Sequence, residues 1–178
     1  KKNSENLVYN LTMIVFLISF ILLFNHPFNL THTLFNENYK IDYLSSFMKS
    51  ITLISIFFVM LSSKAYVKAI GINKVEYPIL ILTSVLGMLV MISSNELITF
   101  YIGLELQSLS LYVLASFNRD EAKSSESGLK YFVLSALSSG LLLYGCSLIY
   151  GFTGTTNFDV ISSNLYEFNK GAVFGIVF

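Results

Sequence analysis

The sequence predicts an all-α, polytopic transmembrane bundle, and three observations predict it. Hydrophobic residues make up 54% of the 178 and charged residues 12%, against roughly a quarter charged in soluble domains. Five stretches are long and apolar enough to cross a hydrocarbon core of about 30 Å, which at a helical rise of about 1.5 Å per residue needs close to 20 residues. None shows the period-two alternation of a barrel strand, and in lipid each backbone group must find its partner within its own element, so the five are helices.

The first span is Leu7–Phe24. Lys1 and Lys2 ahead of it give it the look of a signal peptide, but the run is long and no small-residue cleavage pattern precedes Asn25-His26-Pro27, so it is expected to remain as a helix. The segment Asn25–Tyr43 carries both histidines, His26 and His32, read as solvated loop residues rather than metal ligands. Leu44–Ser63 is the second span, and the basic connection Lys64–Tyr77 leads to the third, Pro78–Ser94. Asn95 alone separates it from the fourth, Glu96–Phe117, and Asn118–Glu126 leads on to the fifth, Ser127–Gly151. After Phe152–Lys170, residues Gly171–Phe178 open a sixth. The connections are short, so neighbouring helices are antiparallel, and residues 1–178 form a single transmembrane domain.

Basic residues outside the spans set the orientation. Lys1, Lys2, Lys64, Lys68, Lys74, Arg119 and Lys123 fall on the side of the N-terminus, against Lys40 and Lys170 on the other. The N-terminus is therefore expected to face the cytoplasm or, in a mitochondrion, the matrix. Eleven basic against eleven acidic residues leave no net charge, which argues against a nucleic-acid partner. The lone cysteine, Cys146, excludes a disulfide framework and a CxxC pair. There is no Walker loop, no GxGxxG after a strand, no HExxH and no nucleophile elbow, so no nucleotide or hydrolytic site is expected. Ten lysines against one arginine, with abundant Phe, Ile, Tyr and Asn, fit an AT-rich genome, of an organelle or a low-GC bacterium.

An ionisable side chain inside the bilayer costs about 2.5–3.5 kcal/mol or more, so it persists where something uses it or pairs with it. Glu105 lies nine residues into the fourth span, roughly 13–14 Å deep, beyond the reach of snorkelling. Tyr101, Glu105, Ser108, Tyr112 and Ser116 recur at helical spacing and form one polar stripe through the membrane. The stripe suits a relay carboxylate with hydroxyls to pass protons; a static interhelical hydrogen bond or ion pair fits the spacing equally. Lys130, one turn into the fifth span, either extends outward as an anchor or points inward as the cation partner of a buried acid. Lys49, five residues from the opposite surface, is expected to snorkel. On the fifth span, Ser135 and Ser139, with Ala136 and Gly140, make a small-residue packing face.

Two blocks carry a resemblance: GLELQSLSLYVLASF at 103–117 and SGLKYFVLSALSSGLLLYGCSLIYGFTG at 127–154. In residues, order and separation they resemble subunit 2 of proton-pumping NADH:ubiquinone oxidoreductase, respiratory complex I. The resemblance implies an antiporter-like bundle of inverted repeats, each contributing half of a proton pathway near the midplane. It makes Glu105 the proton-relay acid and favours an inward, relay role for Lys130. It implies a membrane-arm subunit in the mitochondrial inner membrane, N-terminus towards the matrix, partnered by other complex I membrane subunits and by lipid. NADH, FMN, the iron–sulfur clusters and ubiquinone would bind in other subunits, leaving this chain without a cofactor. Full-length members carry many more helices, including a later broken one bearing the lysine that pairs with the glutamate. The expectation is therefore the N-terminal part of such a subunit, its remainder trimmed or a separate chain. A connector that no longer conducts protons, or an antiporter-like subunit of a related complex, are the alternatives.

Overall fold

All five predicted spans are helices in the computed structural model, which describes residues 2–24, 31–72, 74–164 and 170–177. In chain order the elements are α1 (Lys2–Phe24), β1 (His32–Leu34), β2 (Tyr39–Ile41), α2 (Tyr43–Ile70), α3 (Glu76–Ser93), α4 (Leu97–Ala115), α5 (Ala122–Thr153), α6 (Phe158–Asn164) and α7 (Lys170–Val177). The sixth expected span corresponds to α7; Phe178, like His26, lies outside the described residues.

Several helices outrun the spans read from hydropathy, and α1 starts five residues before Leu7. α2 continues seven residues past Ser63 to Ile70, and α5 starts five residues before Ser127. Hydropathy sees only what lies in hydrocarbon, whereas a helix can run on into the wet interface, where Lys64, Lys68 and Lys123 keep their charge hydrated. α2 is fixed at both ends. Asp42 accepts from Ser45 N at 2.7 Å while Ser45 Oγ accepts from Asp42 N at 2.9 Å, a reciprocal N-terminal cap. At the other end Gly71, at φ 80°, donates its N–H to Lys68 O.

The predicted loop between the first two spans contains a short antiparallel hairpin, with His32 opposite Ile41 and Leu34 opposite Tyr39. Its turn places Phe35, Asn36 and Glu37 at positive φ. Strands of three residues are too short for alternation to reveal them.

The core joins α1, α2 and α3 around Tyr9, Phe16, Leu53, Met60, Ile81 and Val85. Tyr9 brings a hydroxyl into that core, and its O–H donates to Met60 O at 2.6 Å, with Ser63 Oγ at 3.2 Å. α3 and α4 meet backbone to backbone. A Cβ on Gly87 would come 2.6 Å from both Gln107 N and Gly103 O, and one on Gly103 would come 2.9 Å from Met91 N. The small-residue contact expected on α5 is displaced: Ala136 and Gly140 are exposed, and nothing lies within 4 Å of a Cβ at Gly140. α5 instead receives the Ser116 side chain against Gly128, and carries Gly145 O 2.9 Å from the place of a Cβ on Gly175 of α7. Any small residue can serve a close approach; which one does is decided by where the axes cross.

At the end of the bundle opposite the start of α1, here called the outer end, three connections are tied together by Asn95, 6% exposed. Its N–H donates to Asn38 O at 2.8 Å, and its carbonyl accepts from Phe158 N at 3.0 Å. Its side-chain amide donates to Glu37 O and to Asp159 Oδ2, each at 3.1 Å. Beside it Leu97 N donates to Thr156 O, Thr156 Oγ1 donates to Glu96 Oε1 at 2.7 Å, and Lys40 Nζ lies 3.7 Å from Asp159. The residue read as a mere joint is thus the node that sets where α4 begins.

Gly87→Val should lower the thermal stability of the purified protein, in line with the roughly 1–3 kcal/mol of overpacking, while Gly140→Val leaves it nearly unchanged. Asn95→Leu strands buried partners and should cost about 1–3 kcal/mol; hydrogen exchange should show faster opening of amides 31–42 and 94–97 with α1 protected.

Candidate functional site

The polar stripe of α4 meets α5 at its inner end and again near its outer end. At the inner end Ser116 packs on Gly128 and donates its hydroxyl back to Tyr112 O at 3.2 Å. One turn further, Tyr112 is 7% exposed, its ring edge-to-face with Tyr131 at 4.9 Å and Phe132 at 5.7 Å. Towards the outer end Tyr101 comes within electrostatic range of Cys146 on α5. Four of the five stripe positions, Tyr101, Glu105, Tyr112 and Ser116, therefore belong to or flank one helix–helix seam, and Ser108 lies between them in register, partly buried. The fourth span holds this register because Gly103, on the opposite side of α4, locks it to α3.

Glu105 sits midway along the seam. One oxygen, Oε1, is fully buried and has no hydrogen-bond partner. The carboxyl interacts with Tyr101, one turn away. Among the described residues no Lys or Arg forms an ion pair with it; the two ion pairs found are Lys40–Asp159 and Lys130–Glu126. A buried carboxyl oxygen left without a donor gives up a hydrogen bond that burial in an apolar span makes costly to lose.

Lys130 does not meet Glu105. Its ammonium pairs with Glu126, four residues earlier on α5, and both side chains are more than half exposed. In this structure the contact that Lys130 makes is with an acid on its own helix and not with the acid of α4. The spacing of Glu126 and Lys130, acid N-terminal to base by four, is the favourable order on a helix and was the missed signal.

Lys49 points to the outer end as expected but does not reach water. It is 8% exposed, donates to Tyr39 Oη at 2.8 Å and lies 4.8 Å from the centre of that ring. Ser45, Ser46 and Ser50, all buried, surround it on α2. Snorkelling thus ends on a hairpin tyrosine, a partner that only the fold supplies. Among the described residues no three His, Cys, Asp or Glu side chains gather into a metal site.

Known proteins fit this geometry. Residues 94–178, which include α4, α5 and the whole stripe, match the family model described as NADH:quinone oxidoreductase/Mrp antiporter, transmembrane. The chain is 62% identical over all 178 residues to NADH-quinone oxidoreductase subunit N of Pelagibacter ubique, covering 38% of that protein. It is 53% identical over 146 residues to subunit N of Beijerinckia indica, 82% of this chain and 31% of that one. The chain therefore spans about a third of the length of the relatives it matches. Among solved structures, a chain of respiratory complex I from Thermus thermophilus superposes with a TM-score of 0.72 at 25% identity, over 86% of this chain and 33% of that one. A chain of an archaeal membrane-bound sulfane sulfur reductase gives 0.77 at 22% identity, over 98% and 37%, and so shares the fold. The protein is a multi-pass membrane protein with the antiporter-like fold. Residues 94–178 match the NADH:quinone oxidoreductase/Mrp antiporter transmembrane family model, within a chain similar over its whole length to part of NADH-quinone oxidoreductase subunit N.

Proposed function

We propose that this chain works in the membrane arm of a proton-translocating NADH:quinone oxidoreductase, as part of its subunit N, and that Glu105 holds and releases a proton there. The observation that carries the reading is the buried, partnerless Oε1 of Glu105 on a seam of hydroxyls that crosses the hydrophobic span. A carboxyl so placed takes a proton when no cation is near and yields it when a cation approaches. A purely structural tie would use both oxygens, which disfavours the connector reading.

In this proposal the chain carries no redox chemistry: NADH, FMN, iron–sulfur clusters and ubiquinone are bound by other subunits, and the energy of electron transfer arrives as a conformational or charge change at the seam. The partners are other membrane-arm subunits, whether or not the remaining helices of the fold belong to the same polypeptide. The relatives above are bacterial, so the setting proposed is a bacterial plasma membrane with the N-terminus in the cytoplasm, in place of the mitochondrial inner membrane. On the same ground the counterpart proposed is subunit N, the name its bacterial relatives carry, in place of subunit 2. The same seven-to-two bias of basic residues supports the orientation in either membrane.

Glu105→Gln keeps the shape and removes the titration. In the assembled complex, reconstituted in vesicles, it should lower the protons moved per NADH oxidised with assembly intact; unchanged pumping in a normally assembled complex sinks the proposal. Tyr101→Phe should have a smaller effect of the same sign, because it removes one neighbour of the carboxyl and leaves the carboxyl in place.

A further inference from the structure

At the inner end of the bundle a groove of about 440 Å³ opens between the start of α3 and the end of α4. Its walls are Ile79, Leu80, Val113 and Phe117, and its rim carries Lys74 and Arg119. Glu76 and Ser116 also line it. Lys74 Nζ stands 5.9 Å over the ring of Phe117, and neither Lys74 nor Arg119 forms an ion pair among the described residues, although Glu76 shares the rim. A second groove, about 410 Å³, lies on the α5 side of the same helix end, walled by Leu129 and Phe132, and has Arg119, Val113 and Ser116 in common with the first. Arg119 therefore lines both grooves, one on each side of the end of α4.

We propose that this end of α4 is a binding site for one anionic phospholipid, its phosphate between Lys74 and Arg119 and an acyl chain in the groove of Ile79, Leu80 and Val113. The chemistry selects the ligand from both ends. Two unpaired cations at the level of the headgroups need an anion, and basic pockets between helices on the inner side answer to anionic headgroups. Apolar walls continuing below them exclude a ligand that is only charged: a free phosphate would satisfy the rim and leave the groove empty. Glu76 on the rim disfavours a second negative charge near Lys74, which favours a headgroup with one phosphate. The site stands apart from the proton chemistry of Glu105 and survives if that reading fails.

The test uses the full chain in its membrane complex, depleted of lipid and returned to nanodiscs of phosphatidylglycerol or phosphatidylcholine, with retained phospholipid counted by native mass spectrometry. Phosphatidylglycerol should be retained roughly tenfold more firmly than phosphatidylcholine, and water-soluble glycerol phosphate should not displace it. The double variant Lys74→Gln/Arg119→Gln should lose this preference, Lys74→Arg should keep it, and Leu80→Trp, with the charges intact, should weaken retention by filling the groove. Equal retention of the two lipids, an unchanged preference in the double variant, or displacement by glycerol phosphate alone would overturn the proposal. The Lys74→Arg control and the count of co-purifying subunits separate a lost site from a lost fold.

Discussion

Every polar group in the hydrophobic span of this protein must find its partner within the protein, and the structure is arranged around that constraint. The hydroxyls of Thr12, Ser50, Ser110 and Ser116 turn back onto carbonyls four residues earlier in their own helices. Tyr9 spends its hydroxyl on Met60 O across the α1–α2 contact, and Lys49 on the hairpin. Among the described residues three buried side-chain oxygens lack a partner, Asn6 Oδ1, Ser93 Oγ and Glu105 Oε1, and Glu105 is the one carboxyl among them.

The position of Glu105 in turn depends on how α4 is held. Its depth is set at the outer end, where Asn95 and Glu96 bind the hairpin on one side and the Thr156–Asp159 segment on the other. Its rotation is set by Gly103 against Gly87, an approach that tolerates no Cβ on either side. Depth and rotation together aim the stripe at α5. The tie through Thr156 also links the start of α4 to the segment leading into α6 and α7, so a shift there is felt two and a half turns above Glu105.

Spans and antiparallel order were legible in the sequence because they follow from hydropathy, a local property. So was the stripe, since helical spacing alone puts Tyr101, Glu105, Tyr112 and Ser116 on one side. Partners were not legible. Whether Lys130 meets Glu105 or Glu126, whether Lys49 ends in water or on Tyr39, and whether Gly140 or Gly128 serves the close approach all depend on where helix axes cross. That crossing is a property of several elements at once. Asn95 was hidden for a related reason: a one-residue connection has no periodicity to read, and its four hydrogen-bonded neighbours come from segments about sixty residues away on either side.

The placement of Lys130 bears on how charge could reach Glu105. Its bridge to Glu126 is exposed and of the i, i+4 kind, worth about 0.3–0.5 kcal/mol, so holding Lys130 there costs little to undo. Distance is the stronger obstacle. Tyr131, the next residue on α5, packs on Tyr112, which is seven residues and so roughly 10 Å along α4 from Glu105. A lysine side chain released from Glu126 at that level does not bridge the gap by itself. On the proposed function, then, Lys130 would influence Glu105 through the groups between them, Tyr112 and Ser108, and not by direct pairing. The direct counter-charge for Glu105 would have to come from a cation outside the described residues. That division of roles explains why the carboxyl is left with a free oxygen while the lysine on the neighbouring helix is already engaged.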